Sequence, residues 1–149
     1  MSGGRTIDSM ADMLSFQLPR AAAVLKSAVE AELEPLGLRP SEATLLIYLG
    51  ENPGRTQAEV GRDLRIKPAN MVPLVARLAA AGLVARVPGE GRAIALHLTD
   101  EGGRRLAEVR QALQRLEERV AGHLRREDKA AMIEALVTIV MRECGRAQD

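Results

Sequence analysis

Aromatic side chains are almost missing from this chain. One Phe, one Tyr and no Trp stand among 149 residues. Base stacking on aromatic platforms is therefore excluded, and with it the usual single-strand and RNA-stacking modules. Any core must be built from Leu, Val, Ile, Ala and Met, and the hydrophobic content of 46% supplies enough of them. Cysteine is nearly absent too. Cys144 alone permits no intramolecular disulfide and no Cys-based zinc cluster. The two histidines, His97 and His123, are isolated, so no metal site is expected. His97 reads as an exposed strand residue and His123 as a dipole partner near a helix end. No run of 18 apolar residues occurs, and the N-terminus has no basic-then-apolar signal. A soluble, cytoplasmic protein without a membrane partner is the expectation. A nucleophile elbow, a phosphate-binding glycine loop and a His/carboxylate pair at useful spacing are all lacking, so neither enzymatic activity nor a cofactor is expected.

An excess of one charge is missing overall, since the net charge is +1. Its distribution is uneven. Residues 1–54 carry −3, residues 55–98 carry +4, and residues 99–149 are balanced. The positive segment is where phosphate attraction would act, because local charge concentration matters more than the global balance.

That segment also has the most telling order of elements. Thr56 and Glu59 form an S/T-x-x-E capping box that opens a short helix. Val60 and Leu64 face inward, and Gly61 leaves room for a neighbouring helix. Residues 64–67 make a turn. Pro68 starts a helix to about Ala81, with Met71, Leu74, Val75 and Leu78 as its buried stripe and Gly82 as its cap. Leu83 to Val87 and the alternating 93–98 stretch read as two strands. Pro88-Gly89-Glu90-Gly91-Arg92 connects them as a mobile tip. The whole is a helix-turn-helix followed by a β-hairpin wing, a layout that presents one helix and one loop to a DNA duplex.

The flanks are helical. Residues 1–7 are expected to be disordered, and a long helix runs from about Asp8 to Glu34, kinked or split at Pro19. A helix from Pro40 to Gly50 follows, closed by an Asn52-Pro53-Gly54 turn. Thr99 caps a long helix to about Gly122, whose Leu106, Val109, Leu113, Leu116 and Val120 form a heptad-like seam. Arg125-Arg126-Glu127-Asp128 is a polar break before a last helix, about 127–143. The expected fold is mainly α with a small β-hairpin. Residues 8–37 form an N-terminal dimerisation helix, 38–98 the winged helix-turn-helix, and 99–149 the C-terminal dimerisation helices. The apolar stripes outside the winged core exceed what one small domain can cover. A homodimer would bury them, at roughly 1.5–3 kcal/mol per side chain.

At this point the chain resembles the MarR family of winged-helix transcriptional regulators. The resemblance rests on Leu38-Arg39-Pro40-Ser41-Glu42, Thr56-Gln57-Ala58-Glu59-Val60-Gly61, Leu74-Val75-Ala76-Arg77-Leu78, Gly82-Leu83-Val84 and Leu98-Thr99-Asp100-Glu101-Gly102. It implies a homodimer that binds double-stranded DNA, with a helix in the major groove and the wing in the adjacent minor groove. On that reading Arg92 is the minor-groove arginine. Lys67, Asn70, Val72, Pro73 and Arg77 fall at or near groove-facing positions, with Asn70 suited to pair with adenine. Thr56, Gln57 and Arg65 are phosphate contacts. Two departures stand out. Pro73 replaces a polar or basic side chain, and the wing retains only Glu90-Gly91-Arg92 of a longer charged run.

Competing readings apply to several residues. Arg77 lies toward its helix end and suits a carboxylate or phosphate partner better than a base. Phe16 reads first as core packing and Tyr48 equally as core or cleft. The resemblance offers both as the lining of an effector pocket for a small aromatic acid. A reactive cysteine in the first helix, as in redox-sensing relatives, is lacking. The functional reading is a repressor of a pseudo-palindromic operator, released by a small aromatic or carboxylate ligand. Pro73, Met71 and the short wing motivate the alternative, a winged-helix module that docks proteins.

Overall fold

The computed structural model describes residues 9–146. The expected disordered segment 1–7 lies outside them. The chain divides into two compact units, one extending to Leu113 and the other starting at Gln114.

In the first unit, a 3-10 turn at Met10–Asp12, capped by the Ser9 hydroxyl, precedes helix α1 (Leu14–Leu33). The break expected at Pro19 falls instead at Met13, whose backbone is extended. α1 continues through Pro19, the sixth residue of the helix. Only the bond to the carbonyl four residues earlier is forfeited there, and the remaining turns hold the helix. Most of the expected apolar stripe of α1 is exposed, including Leu14, Val24 and Leu25, and only Leu33 is fully buried.

Helix α2 (Pro40–Glu51) begins with Pro40 at its first position, where no N–H is needed. Helix α3 (Gln57–Asp63) begins with the expected capping box: the Glu59 N–H donates to Thr56 Oγ1, and the Thr56 N–H donates to Glu59 Oε2 at 2.8 Å. Helix α4 (Pro68–Ala80) ends in a Schellman motif. Gly82 has φ +72, the Leu83 N–H reaches the Leu78 carbonyl, and the Gly82 N–H reaches that of Ala79. Strands β1 (Val84–Pro88) and β2 (Ile94–Leu98) pair antiparallel, with Val84 opposite Leu98 and Pro88 opposite Ile94. Pro88 thus belongs to a strand, and the connecting tip is 89–93. It is closed by a Gly89 N–H bond to the Ala93 carbonyl.

Leu45, Leu46, Leu49, Val60, Met71, Leu74, Val75, Leu78 and Leu96 form one core. Leu33, Ala43 and Val109 form a second, smaller cluster that ties the end of α1 and the start of helix α5 (Asp100–Ala121) to α2. Thr99 caps α5 as expected, accepting from the Gly102 N–H at 2.9 Å, while its hydroxyl donates to the Gly82 carbonyl.

The second unit contains the end of α5 and helix α6 (Arg126–Arg146). The polar break lies earlier than expected, at 122–125, because Arg126, Glu127 and Asp128 already form the first turn of α6. Two acidic residues at a helix N-terminus are favourable there. Ile133, Leu136, Val137 and Val140 recur at helical spacing and are exposed. Among the described residues, no helix is long and apolar enough to cross a membrane.

Candidate nucleic-acid interface

Two grooves flank the first half of α4. The spacing of side chains on that helix explains both. Pro68, Met71 and Val72 lie at i, i+3 and i+4 and line the groove on the wing side. Asn70, Pro73, Leu74 and Arg77 lie at i, i+3, i+4 and i+7 and line the groove facing α2. The wing-side groove has a volume of about 660 Å³ and the α2-side groove about 600 Å³. Arg65, Ile66 and Lys67, in the turn before α4, border both.

The nine residues expected to contact DNA all line these two grooves. Thr56, Gln57 and Arg92 join Arg65, Lys67 and Val72 on the wing side. Asn70, Pro73 and Arg77 are on the α2 side. Val72 is 55% exposed, off the packed side of α4. Met71, by contrast, is only 2% exposed and belongs to the core, forming part of the groove floor. Pro73 is exposed on a helix that continues past it.

No carboxylate lines either groove. Four acids of α2 and α3 are engaged with other groups. Glu59 is bound to Thr56 and Arg55. Asp63 accepts the Tyr48 hydroxyl. Glu51 faces Arg110. Glu42, 6% exposed, accepts from the Arg39 N–H and from Arg77 Nε, both at 2.8 Å. Burial disfavours the Glu42 charge. The Arg39 N–H and the Arg77 guanidinium outweigh that penalty and hold the carboxyl below its ordinary range. The charged side chains that line the grooves are cationic: Arg62, Arg65, Lys67 and Arg92 around the wing-side groove, Arg77 in the other.

Arg77 therefore has the carboxylate partner that its place on the helix suggested. Arg62 was missed. It follows from face arithmetic on α3, where Ala58, Gly61 and Arg62 lie at i, i+3 and i+4 and all line the wing-side groove. Arg86 was missed as well: it shares a small depression of about 260 Å³ on the wing with Arg92. Gly61 is tight for a reason close to the expected one. A Cβ there would lie 3.3 Å from the Ile66 carbonyl oxygen and 3.9 Å from Met71 Cγ, so the turn, more than α4, makes the contact.

The aromatic pair is placed differently. Phe16 is not core: its ring is 37% exposed and lies under the Arg20 guanidinium, 5.5 Å from the ring centroid. Tyr48 packs against the main core, and its hydroxyl binds Asp63, which raises its pKa. Neither residue lines any of the grooves described above. His97, expected to be exposed, is half-buried beside Gly54.

Known proteins share this arrangement. The MarR family model matches residues 36–93. The HTH-type transcriptional repressor Rv2887 of Mycobacterium tuberculosis (strain ATCC 25618 / H37Rv) is 38% identical over 104 residues, covering 68% of this chain and 74% of the relative. The crystal structure of that family member with salicylic acid superposes with a TM-score of 0.67 at 30% identity, over 87% of this chain and 98% of the other. The transcriptional repressor CouR, solved on a 23-mer DNA duplex, superposes with a TM-score of 0.78 at 27% identity, over 92% and 99% of the two chains. The winged helix-turn-helix, its cationic grooves and this likeness lead to one conclusion: the chain belongs to the MarR family of transcriptional regulators, DNA-binding proteins without enzymatic activity.

Proposed function

We propose that this protein is a homodimeric repressor that reads a pseudo-palindromic operator through α4 and the wing, and that a small aromatic or carboxylate ligand releases it. The observation that carries the DNA reading is the pair of carboxylate-free grooves astride α4, which together contain all nine candidate residues. α4 would enter the major groove, with Asn70 pairing an adenine edge and the exposed Val72 and Pro73 meeting thymine methyl groups. Thr56, Gln57 and Arg65 would hold phosphates and set the register, with Lys67 at the groove. Arg92 would enter the minor groove from the wing tip. Two copies would place two α4 helices about one helical turn of DNA apart.

The ligand part draws on the salicylic acid complex of the mycobacterial family member. Phe16 and Tyr48 would contribute to the effector pocket once the second protomer is in place. The exposed ring of Phe16 and the cation above it suit an aromatic anion.

The test is a titration on DNA from upstream of the protein's own gene against a scrambled duplex, repeated over a salt series. Tighter binding to the native sequence, weakening steeply with salt as counterions are released, is the expected result. Equal affinity for both duplexes at physiological salt would sink specific recognition. A protein-docking module would show no steep salt dependence. Arg92→Ala should weaken operator binding by roughly 1–3 kcal/mol, the value of a good groove contact. Unchanged affinity would remove Arg92 from the minor groove.

A further inference from the structure

Glu42 is the one buried charged residue of the described core. It could serve the start of α2 alone, since the Arg39 N–H bond already caps that helix. Its second oxygen does something different. Oε1 accepts from Arg77 Nε at 2.8 Å, across 35 residues of sequence and from α2 to α4. Arg77 is not buried with it: the side chain is 43% exposed and lines the α2-side groove.

A guanidinium has five N–H donors in a rigid planar fork. A bond at Nε fixes the plane of the fork and leaves the terminal nitrogens for another acceptor. Arg77 lines a groove edged also by Arg65 and Lys67, by Ser41 and Asn70, and by no carboxylate. A second anionic acceptor is what that set of donors fits, and planar Arg forks bind phosphate oxygens in pairs.

We propose that Glu42 is a positioning residue that holds Arg77 as a phosphate clamp on the α2 side of α4. This rests on the operator-reading function above and deepens it: Arg77 keeps its carboxylate and takes a DNA phosphate at the same time. Holding the fork in advance removes the entropy of ordering a long side chain when DNA arrives. The negative charge of Glu42 stays behind the guanidinium, screened from the duplex by the fork it orients.

The test compares wild type, Glu42→Gln, Arg77→Gln and the double variant on the operator over a salt series. Gln at 42 must place an amide donor against either the Arg39 N–H or Arg77 Nε and removes the negative charge in both cases, so it weakens the hold on the fork without changing side-chain size. Arg77→Gln should flatten the slope of log K against log salt by about 0.9 for each Arg77 on the duplex. Glu42→Gln should do the same in part, and the double variant should lose no more than Arg77→Gln alone. A wild-type slope for Arg77→Gln overturns the clamp. A flattened Arg77→Gln slope beside an unchanged Glu42→Gln slope overturns the positioning role. Because Glu42→Gln could fail to fold, the wild type is also followed by NMR. Arg77 Nε–H should remain slow to exchange on the operator, and rapid exchange there overturns the proposal. A wild type that binds DNA without salt dependence or sequence preference would remove the DNA reading itself, whereas steep wild-type binding with indifferent variants would remove only the clamp.

Discussion

Arg65 occupies a backbone position where glycine is usual. It follows the last turn of α3 with φ +54, the only positive value outside glycine among the described residues. The Ile66 N–H bonds the Gly61 carbonyl and the Arg65 N–H bonds that of Arg62, so the turn between α3 and α4 is a Schellman motif with an arginine at its left-handed position. An L side chain is disfavoured there by about 1–2 kcal/mol. The expected outcome for Arg65→Gly is a gain in stability of about 1 kcal/mol by urea denaturation, together with weaker operator binding. Opposite signs in the two measurements would show that the strain is retained for the charge. At Gly102 the demand is spatial. A Cβ there would lie within 2.0 Å of the Leu83 carbonyl oxygen, the same oxygen that accepts the Thr99 N–H. Gly102→Ala should cost about 1–3 kcal/mol or more, since backbone must move. A melting temperature unchanged by the substitution would contradict this packing.

Among the elements, α2 carries a titratable part of the stability through Glu42, as α3 does through the capping carboxylate Glu59. The folded carboxyl of Glu42 lies below its ordinary value of 4.5. A depressed carboxylate contributes stability that is present above the unfolded pKa and is lost as pH falls through the folded one. Acid unfolding of the wild type should therefore steepen below the ordinary carboxylate range. In Glu42→Gln that portion should be missing, with lower stability at neutral pH, as followed by circular dichroism. The sequence made most elements legible, because capping and periodicity are local. Thr56 with Glu59, Pro68, Gly82 and Thr99 each marked a boundary that the structure keeps. The errors have physical causes. Pro19 suggested a break, yet one lost bond near a helix start does not end a helix, whereas the extended residue Met13 leaves no signature. The role of Glu42 was illegible, since its partner lies on another element and nothing local announces a pairing across 35 residues. Arg62 was legible by helical spacing, one turn on from Ala58 along α3.

For the whole molecule, the unpaired apolar surface is the main prediction. Ile133, Leu136, Val137 and Val140 stand exposed on α6, as do Leu14, Val24 and Leu25 on α1. Exposed stripes of this kind mark association surfaces. Paired Leu136→Glu and Val140→Glu substitutions should shift the protein to a monomer by sedimentation velocity. Operator affinity should fall by orders of magnitude as the second half-site is lost. A dimer that survives both changes would place the contact elsewhere.

The base of the wing is stitched on both sides. β2 pairs with β1, and it is also held by the segment before α3: the Leu96 N–H bonds the Arg55 carbonyl and the Gly54 N–H bonds the Leu96 carbonyl. A two-stranded ribbon alone is marginal in water, and this third line of bonds anchors it. The hairpin tip beyond that anchor is then a separable module. Residues could be inserted at Glu90–Gly91 at a loop-closure cost of only about 0.6 kcal/mol for each doubling of length. Wing reach can thus be lengthened or shortened, by selection or by design, without disturbing α4.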